Sequence, residues 1–183
     1  MSTASPKSNV RILFDANAII ELHSLSLWKR VTHSCCAAVT PIIRREAKFY
    51  KDEAGNRNVI DLIEDIKNKR LEEIEVSLTT FHSLGDVLKK SFLEGIDEGE
   101  REAISFLYQN RHKNLFRFCS ADMLAIKCLG VLGLSHLGIS MEELFEKIKL
   151  KPDLSVRYKQ THSKELLKRM LAQGFQESHL HKK

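Results

Sequence analysis

The stretch that most limits what this chain can become is Val10-Arg11-Ile12-Leu13-Phe14-Asp15-Ala16-Asn17-Ala18-Ile19-Ile20. Val10, Ile12, Leu13 and Phe14 make a nearly continuous apolar run, the pattern of a strand buried on both faces. The run ends on a carboxylate and passes directly into what reads as the first turn of a helix. Open α/β sheets build their sites just outside the C-terminal ends of their strands. Asp15 therefore stands where chemistry gathers, and also where a side chain can do no more than cap a helix. What separates the two readings is whether other carboxylates reach the same edge.

The rest of the chain alternates in the same way. The spacing predicts a helix over 16–33, bent near Ser24-Leu25-Ser26, and a second strand over 35–40. Pro41 suits the first position of a helix, which the pattern carries to about residue 51. A loop follows over 52–58, then an amphipathic helix over 58–69 with Val59, Ile60, Ile63 and Ile66 at helical spacing. Residues 71–77 alternate as a short edge strand. Helices are expected over 78–94 and 99–111, separated by Gly95-Ile-Asp-Glu-Gly99. A strand over 115–120 leads to Ala121-Asp122, and a helix over 123–132 stops at Gly133. A brief last strand (136–139) precedes a helix opened by Ser140, with Glu143 completing a capping box. A basic helix over 163–173 carries Leu166, Leu167, Met170 and Leu171 on one face. Strands alternating with helices predict an α/β fold with a mostly parallel sheet and helices on both faces.

At 183 residues the chain suggests one domain with an appendage. The expected division is a disordered leader (1–9), a domain over 10–150 and a basic helical tail over 151–183. That tail holds eight Lys/Arg against three Asp/Glu, the whole of the net charge of +5, so the preceding residues balance. A neutral body with a basic tail fits a polyanionic or acidic partner, or equally a solvated packing helix. No apolar run approaches the roughly 20 residues that span a bilayer, and the N-terminal residues lack the apolar core of a secretory signal. The four cysteines show no C-x-x-C spacing and read as reduced thiols of a cytoplasmic protein. Only His179-x-His181 comes near zinc-ligand spacing, too little for a zinc site.

Three more carboxylates fall at or beside strand-to-helix junctions. Glu46 lies one turn into the helix after the second strand, Glu100 opens the helix after Gly99, and Asp122 follows its strand as Asp15 follows the first. Each alone is more readily a surface charge, a helix-dipole partner or a cap. Together they would crowd one cleft, where two like charges about 4 Å apart repel by about 4 kcal/mol at an effective dielectric near 20. Protonation or a cation must relieve that. An all-oxygen donor set without His or Cys suits Mg²⁺ or Mn²⁺, which activates water for phosphodiester cleavage.

In Phe14-Asp15-Ala16-Asn17, Thr40-Pro41-Ile-Ile-Arg-Arg-Glu46, Gly99-Glu100-Arg-Glu102-Ala103-Ile104 and Ser120-Ala121-Asp122, the chain resembles PIN-domain nucleases. The likeness spans about residues 10–149. It implies a three-layer α/β/α fold around a parallel sheet of about five strands, here with a C-terminal helical extension, and metal-dependent cleavage of RNA. Carried over by position, Asp15, Glu46, Glu100 and Asp122 would hold Mg²⁺ or Mn²⁺, with Asp15 and Asp122 the principal ligands. Asn17 and Ser120 would orient the cluster, with Glu102 in support. The third acid could be Glu98, Glu100 or Glu102, and Glu100 matches the family pattern best. No further acid follows Asp122 over residues 123–127, which leaves a second metal in doubt. Lys127 could reach a phosphate or stay solvated. The resemblance also implies small stand-alone toxins with an antitoxin partner and a tendency to dimerise.

Two enzyme classes find no support in the residues. Asp15-Ala16-Asn17-Ala18 lacks the glycines that let phosphates approach the backbone of a nucleotide-binding loop. No serine or cysteine has a histidine placed by motif as its base. A catalytically silent PIN-like module that binds RNA or a protein is the serious alternative, and the presence of all four acids argues against it.

Overall fold

The computed structural model describes residues 11–52, 54–113, 115–152 and 163–183. The expected leader, the first residue of the strand at Val10 and much of the link before the basic helix lie outside the described residues.

Ile12, Leu13 and Phe14 in strand β1 (Arg11–Phe14) are completely buried. Strands β2 (Cys36–Val39) and β6 (Phe116–Cys119) pair with β1 on its two sides, both parallel. β5 (Leu71–Glu73) adds to β2 as an edge, and β7 (Gly138–Ile139) adds to β6 as the other. The order is β5-β2-β1-β6-β7, all parallel. Helices flank the sheet in a three-layer α/β/α arrangement, as the alternation predicts. The chain winds from β1 outward through β2 to β5, then returns to the far side of β1 for β6 and β7. That reversal places a crevice between the C-terminal ends of β1 and β6.

The expected bend in the first helix is a break. α1 (Ala16–Ser24) ends, Ser26 takes a positive φ of 56°, and α2 (Trp28–Ser34) begins. The next region departs from expectation. α3 (Pro41–Glu46) stops five residues short of the predicted end, and 49–51 form β3 (Phe49–Lys51), paired antiparallel with β4 (Arg57–Val59). The connection between them is built by turn chemistry. Asp52 accepts the Asn56 N–H (2.8 Å) and the side-chain amides of Asn56 and Asn58, and Gly55 supplies a φ of 83°. The Arg57 guanidinium lies 3.7 Å from the centre of the Phe49 ring. Because Asn58 and Val59 are in β4, the next helix, α4 (Leu62–Lys67), starts later than the apolar spacing suggested, at Asp61, whose side chain accepts the Glu64 N–H (3.0 Å).

The single helix expected over 78–94 is divided. α5 (Leu78–His82) runs into a 3₁₀ turn over Ser83–Asp86, and α6 (Lys90–Leu93) follows a short extended piece. That piece pairs with the C-terminal residues: Leu88 bridges Lys182, Lys89 N–H donates to the His181 carbonyl (2.8 Å), and Lys183 N–H donates to the Val87 carbonyl (3.0 Å). His181 also stacks on Phe92 at 4.1 Å. The backbone partners that a continuous helix would have supplied come instead from a segment far along the chain.

α7 (Glu98–Gln109), α8 (Met123–Val131) and α9 (Met141–Lys147) fall where expected. Ser140 caps α9 by accepting the Glu143 N–H (3.1 Å). The basic helix, α10 (Lys164–Gln176), packs on α8 and leads into the short α11 (Ser178–His181). Leu167, Met170 and Leu171 are buried in that contact, each worth about 1.5–3 kcal/mol when fully removed from water. The two helices cross at glycines. A Cβ on Gly130 would sit 2.2 Å from the Leu171 carbonyl oxygen, and one on Gly174 would sit 2.0 Å from that of Lys127. Among the described residues, no helix is long and apolar enough to cross a membrane.

Candidate active site

Asp15 and Asp122 follow β1 and β6 at the crevice. Each spends one oxygen on a helix start: Asp15 Oδ1 accepts the Ala18 N–H (2.5 Å), and Asp122 Oδ1 accepts those of Leu124 and Ala125 (2.8 Å each). The capping reading is therefore true of both and does not exhaust Asp15. Asp15 is 1% exposed, and its Oδ2 is buried outside any hydrogen bond of ordinary geometry, with the Ser120 hydroxyl and the Ala121 N–H close enough to favour its ionised form. Burial pushes its carboxyl up to about 6. The nearby Ser120 hydroxyl and the Ala18 and Ala121 N–H groups oppose that shift, and the Asp122 charge adds to it. Ser120 is held in turn, its Oγ accepting the Asp122 N–H (3.0 Å).

Glu100 comes to the same place from the first turn of α7. It is 6% exposed, and burial, then the charges of Asp122, Asp15 and Asp97, push it up to about 8. Of the three glutamates open at the sequence level, Glu100 is the one that feels Asp15 and Asp122. Glu98 is exposed. Glu102 turns away, its Oε2 accepting the Ile42 N–H (2.9 Å) at the start of α3. Thr40 makes no side-chain cap there, so Glu102 supplies the acceptor from a neighbouring helix. Its support for the site is indirect: it fixes α7 against the helix that carries Glu46.

Glu46 stands apart from the inner trio. Its carboxyl is raised by burial, then by Asp97, Glu98 and Glu102, while the Gly99 N–H opposes the shift. The carboxylate occupies the space of a missing side chain, since a Cβ on Gly99 would sit 2.4 Å from Glu46 Oε2. Asp97 joins the two groups by acting on both Glu46 and Glu100. Sequence reading passed over Asp97. Its position as an acid just ahead of Glu98 and Glu100, at the start of the predicted helix, was the signal available. A cleft of about 220 Å³ is lined by Ala16, Asn17, Ile20, Glu46, Asp97 and Glu100. Asn17 is exposed on its wall.

The negative field reaches the thiols behind the site. Burial and then Asp15 push Cys119 well above its usual range, and burial and then Glu100 push Cys128 in the same direction. None of the four cysteines is in a disulfide.

The Asp15 oxygen outside any hydrogen bond of ordinary geometry, two buried carboxyls held toward neutrality and an all-oxygen donor set fit a hard divalent cation. Among the described residues, no three Asp, Glu, His or Cys side chains are already gathered as a ready-made ligand set. The phosphate contact expected of Lys127 meets a competitor: its ammonium is bound to Glu177 at 2.5 Å, 16% exposed, against the C-terminal helices. No family model, no curated protein and no solved structure matches the chain.

Proposed function

We propose that this protein is a divalent-metal-dependent endoribonuclease. The observation that carries the reading is Asp15, buried at the switch point of the sheet with one oxygen outside any hydrogen bond of ordinary geometry, the charge of Asp122 acting on it and those of Asp122, Asp15 and Asp97 acting on Glu100. Asp15, Glu100 and Asp122 would hold Mg²⁺ or Mn²⁺, with Glu46 and Asp97 on the outer wall. Such a cation lowers the pKa of water and offsets the charge that builds on a phosphodiester in the transition state. The chain's own part is electrostatic and positional. The helix starts fix Asp15 and Asp122, Ser120 tethers the second to the first, and Glu102 docks α7 so that Glu100 faces inward. The raised carboxyls lose their protons readily once a cation is present. We place this activity in the cytoplasm, where thiols outside disulfides persist.

One observation favours the silent module, namely that no ligand set is preassembled among the described residues. Two measurements separate the readings. Incubation of assorted RNAs with Mg²⁺, Mn²⁺ or EDTA should give cleavage that EDTA and Asp15→Asn both abolish. Titration with Mn²⁺ should raise the melting temperature. RNA cut equally well by Asp15→Asn, or no thermal response to Mn²⁺, would refute the metal-cluster reading.

A further inference from the structure

Two chain segments leave the acidic cleft and meet again. From Asp15 the chain runs along α1, past Asn17 and Ile20 on the cleft wall, to His23 in its last turn. From Glu46 it passes into β3 and reaches Tyr50. α1 and β3 pack together. Where they meet lies a second pocket of about 220 Å³, lined by His23, Ser26, Trp28, Lys29 and Tyr50. The His23 ring stacks on Trp28 at 5.3 Å and faces Tyr50 at 5.5 Å. Trp28 is fixed from behind, its Nε1 donating to Asp65 Oδ2 (2.6 Å) and its ring meeting the edge of Phe14 at 5.6 Å. Burial pushes the His23 imidazole down to about 4, so at neutral pH the ring is uncharged and behaves as an aromatic wall. Lys29 is exposed at the rim, and the exposed Lys48 and Lys51 flank Tyr50 along the chain.

The size and chemistry limit the ligand. The space is below the 300 Å³ or so of a pocket for a drug-sized molecule, and suits one planar ring system. Aromatic walls with cations at the rim are how proteins hold unstacked bases while their backbone phosphates stay outside. From Asp15 to His23 is eight residues, about 12 Å along a helix axis, so one extended strand reaches both places.

We propose that the pocket edged by the half-buried His23 and Tyr50, with the 3% exposed Trp28 beneath them, binds a base of the single-stranded RNA whose phosphodiester lies in the acidic cleft. The proposal rests on the ribonuclease reading for its choice of nucleic acid. The pocket selects unpaired RNA, because a base within a duplex cannot enter it, and it sets which nucleotide neighbours the cut.

The chain's one tryptophan is Trp28, so its fluorescence reports on the pocket without any need for turnover. Short single-stranded RNAs, each of one base, and a matched duplex are titrated into the Asp15→Asn protein with Mg²⁺. The single strands should change the Trp28 emission saturably, with one base preferred and the duplex at least tenfold weaker. Tyr50→Ala should weaken single-strand binding at least fivefold, the low end of losing one aromatic–base stack, and should relax cleavage-site preference in the otherwise unaltered enzyme. Lys29→Glu, an exposed change, is the second variant should Tyr50→Ala lose its fold, and is expected to weaken binding more at low salt than at high. If the unaltered protein cuts RNA but Trp28 emission never changes, or Tyr50→Ala and Lys29→Glu cut at the same positions with unchanged affinity, the base pocket is refuted and the nuclease reading stands. If single strands perturb Trp28 and the unaltered protein cuts nothing, the nuclease reading falls and base binding is supported.

Discussion

Helix α8 has carboxylates at both flanks, and they live in opposite conditions. Toward the C-terminal helices, Glu177 receives hydrogen bonds from Lys127 and Gln173 and lies beside His181, contacts that hold it down to about 2, the Lys127 bond being the largest influence. At the N-terminal end of the same helix, Asp122 faces Asp15 and Glu100; burial, with the Asp122 charge in both cases and those of Asp15 and Asp97 on Glu100, pushes them up to about 6 and about 8. One flank has a partner for its charge. The other carries like charges beside a buried oxygen outside any hydrogen bond of ordinary geometry. Buried polar groups are ordinarily paired, and departures cluster where a ligand completes the set. The contrast gives the two flanks opposite effects: the α8–α10 contact holds the fold together, and the β1–β6 crevice gathers like charges at the expense of stability.

The largest expected effect is on the crevice. Asp15→Asn should lower RNA cleavage by about 10³-fold or more, as loss of several kcal/mol of transition-state stabilisation requires. It should also raise the melting temperature in EDTA, because it removes a charge that the folded state disfavours. A variant that lost cleavage and also stability would erase the contrast.

The next effect belongs to the other flank. Gly174→Ala places a methyl group against the Lys127 carbonyl and forces α10 off α8, so it should cost about 1–3 kcal/mol, a fall of roughly 2–12 °C for a chain of this size. Mn²⁺ should not restore it. An unchanged melting temperature would mean that the helices do not cross where the glycines place them.

The pH response comes third. Asp15 and Glu100 have folded-state pKa values above their unfolded ones, so the folded protein binds more protons than the unfolded chain through the window from about 4 to about 8. Stability without metal should therefore fall as pH rises through that window, then level off. Melting curves in EDTA between pH 4.5 and 8.5, buffer conditions chosen to span roughly that window, check the sign, and saturating Mn²⁺ should flatten the slope. Stability that rises with pH would refute the placement of these two groups.

The smallest effect is expected of Glu177→Gln. It should leave cleavage unchanged and shift the melting temperature less than the other variants do. A loss of cleavage would join the two flanks and would return Lys127 to the site.

Much of this was legible in the residues. β1 and β6 declared themselves because buried strands need mostly apolar runs, broken in β6 only by Arg117, and Asp15 and Asp122 because an acid stands between each run and the helix after it. The β3–β4 hairpin was not legible, because three-residue strands are too short to show a period and Phe49-Tyr50-Lys51 continues the helical pattern begun at Ile42. Its turn residues, Asp52 to Asn56, were the better guide. The acid choice on α7 followed from geometry that spacing already contains: Glu98 and Glu102 are four apart and share a face, while Glu100 points elsewhere. Which face meets Asp15 depends on how α7 docks, and that rests on Glu102 and the Ile42 N–H, sixty residues apart in the chain. Asp97 escaped because its importance is purely mutual. It acts through the two glutamates that sense its charge, and on Glu100 through its backbone as well.

The pairing of Leu88 with Lys182 joins residues more than ninety positions apart, just upstream of the turn that delivers Asp97 and Glu100. The upstream segment can pair only once residues 181–183 reach it. Ring closure over such a span is slow relative to local helix formation. The piece between α5 and α6 therefore gains its backbone partners later than the helices on either side of it.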